Sequence, residues 1–487
     1  MSVQILLQGK LLGIEDFLVS PAGGELDLAG AERLVAGRAQ WMTLLSEVLP
    51  RALLAELGLA RILLGSSGGG QFLVVLPDEA RTPAEHFLAA AARDIERLSQ
   101  GRLELLWSST ENLGDWSVVR KRLTEVLERK QGAPLAATAA DAFRPYAPPE
   151  PVEADEYFSN ELGVKMREAA SVGWSPDAPA RIVAGQGKHS WRLTPNVSAD
   201  GITMARHAAT GDDPRTAADA ATLARRAQGK LLWGVLRGDV DNFAVRLRRV
   251  QNIEEHVPLS VLYKQFFAGE LEVLCSMPEF WRKVTILYSG GDDFAVYGSW
   301  DALIAVAREV QRLFRRFTEE NLKDYPGAEG KTITMATALA TGEEDTLASV
   351  YAESGRNLAL AKAADKDCIY VLGRVLEWKQ LNAASELKDT VARMLAEHRA
   401  SRHLLVELRS LYGMVSGASA ARVEAKFDKV WRFHRRLHLI LGGGHEREFQ
   451  KLRTHLAGEI AGRRVTQVKL RPSGLVALEW ARLATEV

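Results

Sequence analysis

The apolar residues of this chain fall into two kinds of pattern, and the two alternate in a recognisable order. Residues 3–8 (VQILLQ) form a short unbroken apolar run and read as a buried strand. Helical spacing follows across Gly30–Leu57 and again across Pro83–Leu98. Between these helices, apolar runs near Ile62–Leu64 and Phe72–Leu76 flank the glycine-rich point SSGGG, which predicts a hairpin. Asp115–Lys130 is again helical in spacing.

Residues 133–151 (APLAATAADAFRPYAPPEP) are rich in Ala and Pro and mark a boundary. Residues 152–230 show no period that assigns them. From Leu231 the order returns: a strand at Leu231–Leu236, mainly helix over Phe243–Ser276, and strands at Val284–Tyr288 and Phe294–Tyr297 joined by SGGDD. Ala302–Asn321 carries Ile304, Val306, Val310, Leu313 and Phe317 on one helical side. A strand at Lys331–Ala340, a helix at Leu347–Ala364 and a strand at Cys368–Leu372 complete a βααββαβαβ order, an α+β arrangement. After Gly373 the spacing is helical nearly to the end. Phe427, Val430, Trp431, Leu437 and Ile440 alternate there with Arg432, Arg435 and Arg436, which reads as a C-terminal helical bundle.

The two strand–hairpin regions match each other. Ser67-Gly68-Gly69-Gly70-Gln71-Phe72 aligns with Ser289-Gly290-Gly291-Asp292-Asp293-Phe294, an offset of 222 residues. The strand-and-turn Leu6-Leu7-Gln8-Gly9-Lys10-Leu11 aligns with Val235-Leu236-Arg237-Gly238-Asp239-Val240, an offset of 229. Two matched segments at nearly one spacing predict two copies of one domain. The expected division is therefore a first domain over 1–132, an inter-domain α/β region over 133–230, a second copy over 231–373 and the helical bundle over 374–487.

Composition narrows the class. The 487 residues carry 62 Lys+Arg and 62 Asp+Glu, which excludes a polycationic tail protein. The charge is uneven, however: from Arg374 onward there are 21 Lys/Arg against 12 Asp/Glu, a balance of about +9 that suits an acidic or nucleic-acid neighbour as well as a solvated helical face. Two cysteines, Cys275 and Cys368, exclude a disulfide framework and any four-cysteine zinc site, and they suit a reducing cytoplasm. No apolar run reaches the roughly 18 residues that span a membrane. None of the ten histidines is followed by Asp, so a nuclease built on that dipeptide is not encoded in this sequence.

The second copy has three carboxylates where the first has none. Asp239 ends a strand, and Asp292 and Asp293 sit at a hairpin tip whose glycines permit positive φ and leave room for a phosphate. If the strands are neighbours, the carboxylates converge and raise one another's pKa unless a cation neutralises them. Hard oxygen donors without His or Cys select Mg²⁺ or Mn²⁺. Two such ions suit in-line attack of a 3′-hydroxyl on a triphosphate. Asp241 would share a strand face with Asp239 if the strand continues, and it reads either as a further ligand or, by preference, as a turn or supporting residue. Lys362 and Lys366 follow a helix and could clamp the triphosphate. The corresponding positions of the first copy are Lys10, Gly70 and Gln71, which cannot assemble a two-metal site. Its backbone could still serve a nucleotide.

These residues resemble a known family. Paired palm domains, one with SGGDDF and one degenerate, are similar to the large subunit of type III CRISPR–Cas effector complexes, the Csm-type (subtype III-A) subunit above all. The likeness runs through QGKLLGIEDF, LGVKMREA, GDVDNF, SGGDDF, AKAADKDCIYVLG and VALEWARLAT. It implies two ferredoxin-like polymerase/cyclase palms and a cytoplasmic subunit that joins ATP into 3′–5′ cyclic oligoadenylates when crRNA pairs with target RNA. Asp239, Asp292 and Asp293 would be catalytic, with Val240 beside them around two Mg²⁺ or Mn²⁺ ions. Ser289, Gly290, Gly291, Asn242, Lys362 and Lys366 would bind the nucleotide, and Ser67, Gly68 and Gly69 a second ATP across the palm–palm interface. The implied partners are crRNA, target RNA and the other Csm-type subunits, with no membrane.

Two departures accompany the likeness. The sequence starts at the first palm strand, so the HD nuclease domain of many members, and its single-strand DNase activity, are expected to be missing. The four-cysteine zinc site between the palms is expected to be missing too. Two other readings stay open: a diguanylate-cyclase-like enzyme using GTP, against which stands Asp293 where such proteins carry Glu, and a non-catalytic scaffold.

Overall fold

The computed structural model describes residues 4–132, 153–195, 201–213, 216–397, 403–413, 430–441, 447–461 and 470–486. The Ala/Pro-rich boundary at 133–151 and Phe427 lie outside these residues.

The first sheet is built from β1 (Gln4–Leu12), β2 (Leu64–Gly68), β3 (Gln71–Pro77) and β4 (Glu104–Glu111), in the order β2-β3-β1-β4. All its pairs are antiparallel. The apolar run near Ile62 begins later as a strand than its spacing predicts. Arg61–Leu63 is a single tight helical turn, and Ile62 is 90% exposed. The long helix Leu28–Glu56 starts where the Asp27 side chain accepts from the Gly30 amide, satisfying one of the helix's orphan donors. This helix is buried over most of its length, because it packs against the first sheet and also meets Leu287, Ala295 and Tyr297 of the second palm in one shared core.

A small sheet follows, made of β5 (Ser171–Trp174), β6 (Ile182–Ala184), β7 (His189–Thr194) and β8 (Gly201–Thr203), in the order β6-β5-β7-β8. Its strands have three to six residues each, too short to show a period, which is why 152–230 gave no pattern. A wide-turn helix at Tyr157–Lys165 ties it to the first palm, and Gly37 and Gly163 let the two backbones touch.

The second palm sheet holds β9 (Trp233–Val240), β10 (Val284–Ser289), β11 (Asp293–Ser299), β12 (Ile333–Leu339), β13 (Cys368–Val371) and β14 (Arg374–Glu377). Its order is β10-β11-β9-β12-β13-β14. The first four strands repeat the order of the first sheet, so the duplication read from the sequence is present in space. The sheet continues past Gly373, which turns at φ +81° and sends β14 back along β13. Four residues without alternation give no sequence signal for that strand. Helix Trp300–Asn321 buries Ile304, Val306 and Val310, as its spacing predicts, with Leu313 and Phe317 partly buried. The helical stretch 243–275 is broken into Phe243–Arg248, Ile253–Gln265, a wide turn at Phe266–Glu270 and Leu271–Cys275.

The C-terminal region is helical, with helices at Trp378–Ala396, His403–Gly413, Val430–Ile440, Arg447–Ala461 and Pro472–Thr485. The last of them docks beside the start of β9, where the Lys230 amide donates to the Leu483 carbonyl at 2.8 Å. Among the described residues, no helix is long and apolar enough to cross a membrane.

Candidate active site

Strand pairing brings the three aspartates of the second palm together. In the antiparallel register of β9 and β11, Asp239 lies opposite Asp293, with Thr334 of β12 on its other side. The hairpin is closed by the Gly290 amide, which donates to the Asp293 carbonyl at 2.7 Å. The Val240 amide donates to the Asp292 carbonyl at 2.9 Å, tying the tip to the end of β9.

Glycine serves a different purpose here from the one its sequence suggests. Neither Gly290 nor Gly291 has a positive φ. A Cβ on Gly290 would lie 2.0 Å from an Asp293 carboxylate oxygen, so what Gly290 supplies is space for that side chain. Gly291 faces open space. Positive φ is used instead in the first palm, at Gly68 (126°), Gly69 (58°) and Gly70 (73°). That hairpin abuts the acidic one: a Cβ on Gly69 would sit 3.5 Å from the Gly291 nitrogen and 3.9 Å from Asp292 Oδ1.

Burial and mutual repulsion set the electrostatics. Burial, then the neighbouring Asp293 and Asp239 charges, push Asp292 well above the ordinary carboxylate range. Burial and Asp239 raise Asp293 to about 6, against a hydrogen bond from the Tyr288 hydroxyl at 3.1 Å. Burial also raises Asp239, although Lys362 forms an ion pair with it. One ammonium against three carboxylates leaves the cluster short of positive charge. Among the described residues, no three His, Cys, Asp or Glu side chains form a ready-made metal cage. Asp239 is turned to Lys362, and Asp293 to Tyr288 and its own hairpin. The all-oxygen donor set nevertheless fits Mg²⁺ or Mn²⁺, and a cation placed among these carboxylates would offset the burial and mutual repulsion that raise them.

The other predicted residues surround this cluster. Ser289 is buried, and its hydroxyl has no hydrogen-bond partner. Asn242 caps the following helix in the left-handed region (φ 57°) and accepts from Lys366 Nζ at 2.6 Å. Lys366 itself sits at φ 58°, in the turn that leads into β13. Asp241 points away from the cluster. It accepts from Thr332 Oγ1 at 2.8 Å, Thr334 Oγ1 at 2.7 Å and the Asp367 amide at 3.0 Å, so it fastens β9 to β12 and to the turn before β13. In the first palm, Ser67 donates to Glu47 at 2.9 Å, and Lys10 lies opposite Gln71 just as Asp239 lies opposite Asp293.

A cavity of about 270 Å³ opens between the palms. Its walls include Ser67, Gly69, Trp116, Phe243, His256 and Asp292. His256 lies at a tilt to Trp116, with ring centroids 5.3 Å apart, and is pushed down to about 4 by burial and by Arg120, so its imidazole is neutral at physiological pH. A larger cavity of about 560 Å³ lies between the second palm and the C-terminal helices and includes none of the candidate residues.

Several contributors carry no sequence signal. Arg237 reaches from β9 to the first palm, forking onto Glu15 at 2.6 and 3.0 Å and lying over the Tyr351 ring at 4.2 Å. Trp116 and His256 also come from different palms. Such pairs are far apart in the chain and belong to no motif.

The geometry has counterparts among known proteins. The family described as Cas10/Cmr2, second palm domain, matches residues 232–370. The chain is 23% identical over 398 residues to a protein of Mycobacterium tuberculosis, the CRISPR system single-strand-specific deoxyribonuclease Cas10/Csm1 (subtype III-A). That match covers 64% of this chain, and it spans about half (48%) of the relative's length. Two crystal structures of a Csm1–Csm4 cassette, one in complex with cA3 and one with one ATP, superpose with TM-scores of 0.72 and 0.70 at 17% and 18% identity. Each covers 99% of this chain and 70% of the solved chain. With residues 232–370 matching the Cas10/Cmr2 second palm domain and the fold laid out as in Csm1, the chain is similar to the large subunits of type III-A CRISPR systems.

Proposed function

We propose that the second palm joins ATP into cyclic oligoadenylate by metal-assisted nucleotidyl transfer, within an RNA-guided defence complex. The observation that carries this reading is the cation-deficient group Asp239, Asp292 and Asp293, set at adjacent strand ends and faced by the glycine hairpin of the other palm. The related cassette solved with cA3 and with ATP supports the substrate class.

Asp239, Asp292, Asp293 and the Val240 backbone would hold two Mg²⁺ or Mn²⁺ ions, which supply the positive charge that in-line attack of a 3′-hydroxyl on an α-phosphate requires. Lys362, released from Asp239, and Lys366 would turn to the triphosphate and the leaving pyrophosphate. The Ser289 hydroxyl and the backbone at Gly290 and Gly291 would lie beside the same phosphates, and Asn242, which accepts from Lys366, would orient it. On the other wall, Ser67, Gly68 and Gly69 would receive the second nucleotide, whose base has the cavity lined by Trp116, Phe243 and neutral His256. No carboxylate of the first palm hairpin takes part, so that palm binds and does not activate. The basic C-terminal helices would face RNA or the other Csm-type subunits, and crRNA paired with target RNA would switch the reaction on.

Pyrophosphate release by the assembled complex tests this, with ATP or GTP, with Mg²⁺, Mn²⁺ or chelator, and with or without matching target RNA. Release from ATP that needs metal and target RNA is expected. Release from GTP alone would favour the diguanylate-cyclase-like reading, and release from neither would favour a scaffold.

A further inference from the structure

Two buried charged side chains and a third that is mostly covered meet where the palms join, outside the aspartate cluster. Glu47, on helix Leu28–Glu56, is 2% exposed. Its carboxylate accepts from Lys264 Nζ at 2.5 Å, from Arg51 Nη1 at 2.8 Å and from Ser67 Oγ at 2.9 Å. Lys264 belongs to the second palm, on helix Ile253–Gln265. Ser67 opens the glycine hairpin of the first. Lys264 Nζ also lies 3.4 Å from Ser67 Oγ. Burial alone would push the Glu47 carboxyl up, but Lys264 and Arg51 outweigh it and hold the group below the ordinary range. Such a buried cluster keeps its charges only while its partners stay in place, which makes its geometry narrow.

The hairpin that Ser67 opens rests on this cluster on one side and on the acidic tip on the other. A Cβ on Gly68 would lie 3.4 Å from Glu47 Oε1, and one on Gly69 3.5 Å from the Gly291 nitrogen. Ser67, Gly68 and Gly69 also form a wall of the inter-palm cavity. A contact path therefore runs from a second-palm lysine, through a first-palm glutamate and serine, back to the second palm's own acidic hairpin. An apolar contact at this place would let the glycine hairpin slide, whereas three hydrogen bonds to one carboxylate fix it in direction as well as distance.

We propose that Lys264 is a positioning residue for the nucleotide cleft: through Glu47 and Ser67 it fixes the first palm's glycine hairpin against the acidic tip and so sets the width of the cleft. The proposal rests on the nucleotide-joining reading above. It places Lys264 in control of nucleotide binding and leaves the reacting groups alone.

The test compares wild type, Lys264→Met, Lys264→Arg and Ser67→Ala in the assembled complex. Two quantities are read: hydrogen exchange of the amides at 66–71 by mass spectrometry, and the KM and kcat for ATP. Lys264→Met is expected to speed exchange at 66–71 by tenfold or more and to raise KM about fivefold, with kcat within twofold of wild type. Lys264→Arg should restore both, and Ser67→Ala, which keeps all three charges, should fall between in exchange. If Lys264→Met does not fold, Lys264→Gln carries the same comparison. Unchanged exchange and KM would overturn the proposal, as would a fall in kcat at constant KM, the mark of lost folded protein. A wild-type complex that makes no nucleotide product would instead sink the nucleotide-joining reading and, with it, the cleft's role. The exchange data would still decide whether Lys264 holds the hairpin.

Discussion

The two palms share a strand order and differ in what they place on it. In the first, β2-β3-β1-β4 puts Lys10 opposite Gln71; in the second, β10-β11-β9-β12 puts Asp239 opposite Asp293. The first palm shows that this sheet forms without any of the three aspartates. In the second they raise one another's pKa, so on their own they weaken the fold that carries them. Groups that a fold does not need and that oppose it are best explained by what they bind. The glycines divide in the same way. Those of the first palm adopt backbone conformations that other residues resist, and Gly290 in the second makes room for a carboxylate.

The comparison breaks most sharply at the acidic tip. Asp292→Ala with Asp293→Ala is expected to lower the ATP-joining rate by at least a thousandfold while the complex still assembles, as checked by size-exclusion chromatography. Replacing Lys362 with Ala should lower kcat/KM for ATP roughly 10–100-fold, since the triphosphate loses a cation but the carboxylates stay. Initial rates over a range of ATP concentrations measure this. The matching first-palm change, Gln71→Ala, should cost less than threefold. A loss as large as that of the double aspartate variant would mean that the first palm does chemistry.

Stability sharpens the same contrast. Asp293 is raised from an ordinary carboxylate value to about 6, so the folded protein binds its proton more tightly than the unfolded chain does. Its contribution is therefore favourable below about pH 4 and is lost as the pH rises through 6. Without metal, Asp292→Asn with Asp293→Asn should stabilise the protein at pH 7 by about 1–3 kcal/mol after solvent screening, and by much less at pH 4. Denaturant melts at the two pH values measure the difference. Subtracting wild type from variant removes the opposite trend of His256, whose depressed value of about 4 gives stability that is lost as the pH falls. Adding Mn²⁺ should reverse the order at pH 7, because only wild type gains from the cation.

Much of this could be read along the chain because the repeat lies in short, strongly apolar strands with diagnostic turns. SGGDD and GDVDN are local, and the strand order that brings them together follows from the duplication. Other features lacked a local signal. β14 is four residues long, and the strands of 171–203 have three to six, so neither builds a period. Ile62 belongs to an apolar run and is still exposed, because the chain makes a tight turn there. Glu47 and Lys264 are 217 positions apart and read singly as ordinary helix residues. Only the packing of one palm on the other makes them partners. Lys362 was legible as a cation near a helix end, but its ion pair with Asp239 depends on the crossing of that helix over β9.

The central claim is that the acidic palm, facing its glycine counterpart, builds a cyclic adenylate. Chromatography with mass spectrometry of the products tests it most directly, using the assembled complex with ATP, Mg²⁺ or Mn²⁺ and matching target RNA. The account predicts rings of 3′–5′-linked adenylates that form only with target RNA and vanish in the double aspartate variant. Rings that persist in that variant, or a metal-replete complex that leaves ATP untouched, would contradict it.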